Sequence, residues 1–330
     1  MTRMNEQSKE IVLSVVPGEK ALQTAFDSLP PDEEIHVTLE LAPGIYREKA
    51  ELRRANVTLS GTGKPEDTVI SWNDGAYEIL SDGMKRGTFR SYTLLVDAKD
   101  VTLRHLTVEN TAGPREKMGQ CVALYADGDR FLCEEVILRS HQDTLFTAPL
   151  PPKEVEKNGF IGPKQFAPRT PQTHRYRRCT IVGDVDFIFG GAAAWFEDCD
   201  IVSEDGRENR TPPEEGKCLG WCTAASTPEG QPFGYVFINC RFTTTNCPPR
   251  SIRLGRPWRA FAKTVFLHCW FGEHIQPVAF DDWGKPNIAE TALYAEYDSW
   301  GPGATGPRAP FARLLTPEEA KIMSHGNDSV

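Results

Sequence analysis

The sequence predicts an all-β chain wound as a right-handed parallel β-helix, with a short N-terminal capping helix and a helix and loops at its C-terminal end. Three observations carry that expectation. From Ile35 onward the chain is written in short β-branched and aromatic runs broken by Gly, Pro or Asn, among them HVTLELAPG, NVTLSGTG, VTLRHLTVEN and TVFLHCWF. That is the pattern of strands. The runs also share a repeat: a bulky residue, two variable positions, a core residue, one variable position and an apolar residue. Its instances are Leu103/Leu106/Val108, Tyr176/Cys179/Ile181, Phe196/Cys199/Ile201, Phe237/Cys240/Phe242 and Phe266/Cys269/Phe271. Phe131 to Val136 is read as a further instance, with Glu134 in the middle slot and Cys133 one place off register. Successive middle positions then lie 28, 45, 20, 41 and 29 residues apart, which is one coil of about 20 residues plus insertions of varying length. The third observation is that helical patterns lie toward the two ends.

Taken in order, Gly18 to Leu29 sets Ala21, Leu22, Ala25, Phe26 and Leu29 on one face at helical spacing, and Pro30-Pro31 ends it. This segment is expected to cover the open end of the sheet structure. Cys179, Cys199, Cys240 and Cys269 share one repeat slot, so they are expected to form an internal ladder of small buried side chains. Cys218 and Cys222 are four apart without matching partners, and no metal site is expected. Between Leu145 and His174 runs a segment rich in Pro, Gly and Lys, far longer than a coil needs, and it is expected to form a rim of the groove. After Trp300 comes a loop composition, then a helix with Thr316 as N-cap, Pro317 at its first position and Glu319 at its third, a capping box. The final residues, SHGNDSV, are expected to be disordered.

The 330 residues are read as one domain, with its core from about 10 to 300 and a C-terminal tail over 301–330, because no linker or long charge run interrupts the middle of the chain. A formal charge of −9 and a pI of about 5.4 argue against nucleic-acid or anionic-membrane surfaces. The same charge repels a polyanion at long range, and less so one whose carboxylates are masked as esters. No run of 18 or more apolar residues occurs and the N-terminus carries no signal-peptide pattern. Nine cysteines, an odd number, argue against a complete disulfide framework. The expected address is the cytoplasm, or secretion if a leader has been trimmed away.

Gly183 to Gly191, GDVDFIFGG, sets Asp186 among Val185, Phe187, Ile188 and Phe189. A carboxylate there loses hydration, so its pKa rises unless a cation or donor compensates. Four other stretches supply the rest of a site: GIYRE (44–48), GQCVAL (119–124), HQDTL (141–145) and LGRPW (254–258). Two carboxylates, two carboxamides, a guanidinium and aromatics are the parts for acyl-ester chemistry on a sugar. In this order and spacing the five stretches resemble the pectin methylesterase (pectinesterase) family of carbohydrate esterases, in its bacterial type, from about Gly18 to about Trp300. The segment 146–173 departs from the shorter plant-type pattern, Cys121 stands where the family usually has alanine, and His141 where an aromatic or small residue is common.

The resemblance implies hydrolysis of methyl esters on galacturonate units of homogalacturonan or oligogalacturonides, releasing methanol, with no cofactor and no metal. It implies Asp186 as nucleophile, attacking the ester carbonyl to form an anhydride, and Arg256 as the group that keeps it ionised. Asp143 would be acid and then base. Two carboxylates about 5 Å apart at an effective dielectric near 20 repel by roughly 3 kcal/mol, about 2 pKa units, enough to keep one protonated. Gln142 and Gln120 would donate to the oxyanion, Trp258 would stack on a sugar, and Tyr46 and Phe187 would line the cleft. His141 is expected to tune the pH response of Asp143. A monomer is expected by analogy with the fold. The alternatives are an acyl thioesterase on the same site, or a β-helical pectate lyase or galacturonase. A lyase would need a grouped set of acidic calcium ligands that this sequence lacks, and no G-x-S-x-G elbow points to a serine hydrolase.

Overall fold

A computed structural model of the chain describes residues 3–5, 10–211, 213–214 and 216–326. Among these residues the strands form three sheets, of twelve, eight and seven strands, and each complete coil contributes one strand to each. One coil runs through Phe131–Glu134, Ile137–Arg139 and Leu145–Thr147; the next through Thr173–Arg177, Thr180–Gly183 and Ile188–Gly190. Pairing between coils is parallel; the short strand Arg3–Asn5 joins Glu10–Val15 antiparallel. The result is a parallel β-helix.

The corner between the first and second sheets is made by one residue in the left-handed region. His105, Glu135, Arg178, Asp198, Asn239 and His268 all have φ between 49° and 55° there. The residue after each points inward, giving the column Leu106, Val136, Cys179, Cys199, Cys240 and Cys269, all buried. The cysteine ladder is as expected: Cys199 Sγ accepts from the Cys179 backbone N–H at 3.4 Å. Beside it Tyr176, Phe196, Phe237 and Phe266 stack with centroids 4.6, 4.5 and 5.1 Å apart.

The coil at 131–138 corrects the expected register. Cys133 pairs with Leu103 and with Tyr176, so Cys133 itself fills the bulky slot. Val136 is the middle residue, and Glu134 is only partly buried. The reason is the left-handed corner at Glu135, which fixes its successor as the inward position.

The N-terminal helix spans Ala21–Asp27 and buries Leu22 and Phe26, with Ala21, Ala25 and Leu29 packed on the same core. At the other end a helix spans Pro317–His325 with its capping box formed: the Glu319 N–H donates to Thr316 Oγ1 at 3.2 Å and the Thr316 N–H to Glu319 Oε2 at 2.8 Å. The expected disorder of SHGNDSV is corrected in part, because Ser324 and His325 belong to this helix; residues 327–330 lie outside the described residues.

Candidate active site

The site lies on the outer face of the third sheet, where that sheet begins. Leu145 pairs with Ile188, so two residues earlier Asp143 and Asp186 occupy equivalent positions one coil apart, which in a parallel ladder is about 4.8 Å. The Asp143 N–H donates to Val185 O at 3.0 Å and the Leu145 N–H to Phe187 O at 2.9 Å, which fixes that register. Both aspartates stand at left-handed corners, with φ of 65° and 50°, a region Asp tolerates better than most residues. Both are buried, Asp143 to 8% and Asp186 to 6% exposure. Burial inward is taken by the next residues, so the two carboxyls face the groove.

Arg256, two coils further on, reaches back to Asp186 with a two-pronged contact: Nε to Oδ1 at 2.8 Å and the terminal nitrogen to Oδ2 at 2.6 Å. Its strand Ile252–Gly255 ends at Gly255, where a Cβ would sit 2.3 Å from Thr223 Oγ1. The guanidinium is sandwiched between Trp221 and Trp283, its carbon 3.7 Å from each ring centroid. Neither tryptophan was singled out from the sequence. Trp221 pairs with Arg253 and stands in the same column as Asp186, so the coil register was the signal that could have found it. Trp283 comes from a loop for which no repeat exists.

A groove of about 510 Å³ opens over these groups, and Gln120, Gln142, Asp143, Asp186, Arg256 and Trp258 all line it. Trp258 packs against Phe189 and Phe160, with centroids 5.7 and 6.2 Å away. Two expected cleft residues are corrected. Tyr46 is fully buried; it pairs with Ile70 in the inward column of the second sheet, and its hydroxyl donates to Val15 O at 2.8 Å and Ala42 O at 3.0 Å. Glu48 of GIYRE is also structural: it accepts from the N–H groups of Leu22 and Gln23 at 2.9 and 3.0 Å and caps the N-terminal helix. Phe187 is likewise fully buried in the main core, because the corner at Asp186 turns it inward. Phe189, two residues on, is the aromatic that lines the groove.

Burial pushes the Asp143 carboxyl well above the usual range, and the negative charge of Asp186 pushes the same way; Arg256 opposes both. Burial also raises Asp186, but the Arg256 hydrogen bonds and charge act against it, with Lys285 helping. Both carboxyls are thus raised, Asp143 the further of the two, and Asp186 is the one whose rise a bound guanidinium opposes directly. The neighbouring Gln142 carboxamide also acts to lower Asp143. Beneath them Asp184, nearly fully buried, pairs with Arg115 at 3.0 Å and accepts from the Val185 N–H at 2.6 Å. His141 lies against this residue: its charge is among the influences on Asp184 and not among the leading ones on Asp143. Asp184 was passed over in the sequence because Asp186, in the same run, accounted for the carboxylate there.

The family model described as pectinesterase matches residues 17–150 and 170–312. The chain belongs to the pectinesterase family. A relative among plant proteins, pectinesterase QRT1 of Arabidopsis thaliana, is 32% identical over 306 residues, covering 91% of this chain and 71% of its own. The pectin methylesterase PemA of Erwinia chrysanthemi superposes with a TM-score of 0.74 at 27% identity, covering 97% of this chain and 95% of its own. A pectin methylesterase solved in complex with a hexasaccharide superposes with a TM-score of 0.72 at 29% identity, over 90% and 89% of the two chains. Both solved enzymes share the parallel β-helix. The pectinesterase match skips residues 151–169, and that interval contributes Val155, Glu156, Gly159 and Phe160 to the groove. The insertion thus forms a wall of the groove, as expected of a rim loop. Lys164 anchors it through an ion pair with Asp97, and Arg169 ties it down through the carbonyls of Pro151, Lys164, Gln165 and Ala167.

Proposed function

We propose that the chain hydrolyses methyl esters of galacturonate units in pectic chains with Asp186 as nucleophile. The observation that carries this is the asymmetry of two stacked, buried carboxyls, of which only one is held by a guanidinium. The ionised Asp186 attacks the ester carbonyl carbon. The carbonyl oxygen takes up the charge and receives N–H bonds from the carboxamides of Gln120 and Gln142, worth about 3 kcal/mol for each donor. The C–O bond to methyl breaks as Asp143 gives its proton to the departing methoxide, so methanol leaves and Asp186 is acylated. Asp143, now ionised, takes a proton from water, the hydroxide attacks the anhydride, and Asp186 is released with its charge. Trp258 offers a ring face to a sugar. Following methanol release and chain length together from methyl-esterified oligogalacturonides tests this. Methanol from the wild type and none from Asp186→Ala, with chain length unchanged, is the expected result; shortened chains would replace the esterase with a lyase or galacturonase.

The loop 146–173 supports two finer readings, that the chain is of the bacterial type and that a narrowed groove favours short oligomers; equal turnover of long pectin and hexamers would refute the second. We read residues 1–330 as one domain acting as a monomer, which light scattering on the purified chain tests. Nine free cysteines, eight of them buried, support a reducing, cytoplasmic address, and cell fractionation would test it.

A further inference from the structure

A second ionic cluster lies beneath the paired aspartates, and none of the hydrolytic steps uses it. Asp184 is 1% exposed. Its Oδ1 accepts from the Val185 N–H at 2.6 Å and its Oδ2 from the Arg115 guanidinium at 3.0 Å. Arg115 opens the short helix Arg115–Met118, which leads into Gln120, and the same nitrogen also reaches Leu219 O at 3.4 Å. The Asp184 N–H donates to His141 O at 3.2 Å. One largely buried ion pair therefore touches four successive coils: those that carry Gln120, Asp143 and Asp186, and the one after. Glycine closes the space around the carboxylate. A Cβ on Gly206 would lie 2.3 Å from Asp184 Oδ2 and 3.3 Å from His141 Nδ1, an atom that is itself buried without a hydrogen-bond partner among the described residues.

A brace between coils does not need charge. Apolar side chains of similar volume hold a buried contact as well as an ion pair does, and often better, because no charge has to leave water. What only the charged form supplies is a field at its neighbours. We propose that Asp184 is a positioning residue for the acid of the reaction: its buried negative charge, held in place by Arg115, keeps the proton on Asp143 until the methoxide leaves. This rests on the esterase reading of the site, in which Asp143 gives that proton. The arrangement is one-sided. After burial and the charge of Asp186, and with Arg256 opposing, Asp184 is among the groups that raise Asp143, whereas the leading influences on Asp186, after burial, are Arg256, Lys285 and Asp281. Burial raises Asp184 too, and Arg115 and His141 act against it; two donors, one of them cationic, favour its ionised form. The other groups on this side are Asp205, which is paired with Arg207 at 2.8 Å, and the thiols of Cys121 and Cys247, which burial pushes up to about 12 and about 11 and so keeps neutral.

The pH response separates this role from simple bracing. The test follows kcat/KM for methanol release from methyl-esterified oligogalacturonides against pH, in the wild type and in Asp184→Asn. Beside it, carboxyl NMR on protein labelled with carbon-13 aspartate follows the titration of Asp143 itself. A unit charge two residues along and one coil across, about 8 Å away, shifts a neighbouring carboxyl by roughly one to two pH units at an effective dielectric near 20, and Arg115 offsets part of that. In Asp184→Asn the alkaline limb, where Asp143 loses its proton, is therefore expected to move down by about one pH unit, a tenfold change in that equilibrium. The acidic limb, set by the ionisation of Asp186, stays in place, and the Asp143 resonance shifts its titration by the same amount as the alkaline limb. Should the asparagine variant not fold, Asp184→Ser, whose hydroxyl accepts from the Val185 N–H, carries the same readouts. In the wild type alone, the Asp184 carboxyl must ionise at lower pH than that of Asp143. An Asp143 titration unmoved by the variants, a uniform fall in kcat at every pH such as a merely structural brace would give, or an Asp184 still protonated where Asp143 ionises would each overturn the proposal. Absence of methanol from the wild type would refute the esterase reading alone, with the carboxyl titrations still deciding whether Asp184 holds the proton on Asp143.

Discussion

Replacing Arg256 by Met keeps a stem of similar length and removes the charge from the site. In the wild type the guanidinium makes two charge-assisted hydrogen bonds to Asp186, at 2.8 and 2.6 Å, with side-chain exposures of 15% and 8% for the two partners. It is also held between two indole faces. Removing one member of such a pair leaves the other buried and uncompensated, at a cost of about 3–5 kcal/mol. Asp186 avoids that cost by taking up a proton. At 1.36 kcal/mol per tenfold change, the ionised nucleophile becomes rarer by about two to four orders of magnitude near neutral pH, and kcat for methanol release falls with it. The loss has a direction in pH: because it arises from protonation, it shrinks as pH rises and the carboxyl re-ionises. Arg256→Lys, which keeps a charge but not the fork, is expected to fall between. A loss below about tenfold at pH 7 in Arg256→Met, or one of the same size at every pH, would show that the guanidinium does not set the charge of Asp186.

Asp143→Asn is expected to abolish turnover while stabilising the fold. The folded-state carboxyl titrates well above its ordinary value through burial and the charge of Asp186, so the native state binds more protons than the unfolded one between those values and the wild type loses stability as pH rises through that window. The variant lacks this loss, so its Tm advantage should be small near pH 4 and grow toward pH 8 in thermal scans. If Gln142 donates to the oxyanion as proposed, Gln142→Ala should lower kcat by about 10²–10³ with KM little changed. Tyr46→Phe should cost about 1–2 kcal/mol in denaturant unfolding, from the hydroxyl bonds to Val15 and Ala42, and leave KM unchanged; a raised KM would return Tyr46 to the cleft.

The β-helix was legible because a solenoid repeats its core: the same slot recurs in every coil, and Cys179, Cys199, Cys240 and Cys269 announce it at a glance. Bulk alone misplaced the coil at 131–138, since Phe131 looks like the large member of the slot that Cys133 fills. The better marker is the left-handed corner, which polar residues such as Glu135, Arg178 and Asn239 occupy one place before the inward residue. In the site, the groups carried by short contiguous motifs were found: Asp143, Gln142, Asp186, Arg256 and Trp258 all reach the groove. What was missed is what the third dimension supplies. Trp283, Lys285 and Phe160 arrive on loops with no periodicity, and Tyr46 and Phe187 were misplaced because an aromatic beside a motif gives no indication of which face of its strand it takes.

The same corners explain why this architecture suits a pair of carboxyls. An L-residue in the left-handed region is disfavoured by about 1–2 kcal/mol, less for Asp, and Asp143 and Asp186 both stand there one coil apart. The desolvation of both, and their repulsion whenever both are ionised, oppose folding further. Arg256 relieves the charge on Asp186 locally; the remainder is not relieved there. It is offset by the stacked interior of the neighbouring coils, where Tyr176, Phe196, Phe237 and Phe266 lie in near-parallel contact. Coil spacing then becomes an electrostatic parameter of the site: the ladder that holds Leu145 against Ile188 also sets how strongly Asp186 raises Asp143, and the ladder from Ile188 through Thr223 to Gly255 sets where Arg256 begins its reach. On the proposed mechanism a rigid core is therefore part of the acid–base chemistry, because the electrostatic influence of one aspartate on the other depends on a separation that the coil ladder and the core beneath it fix.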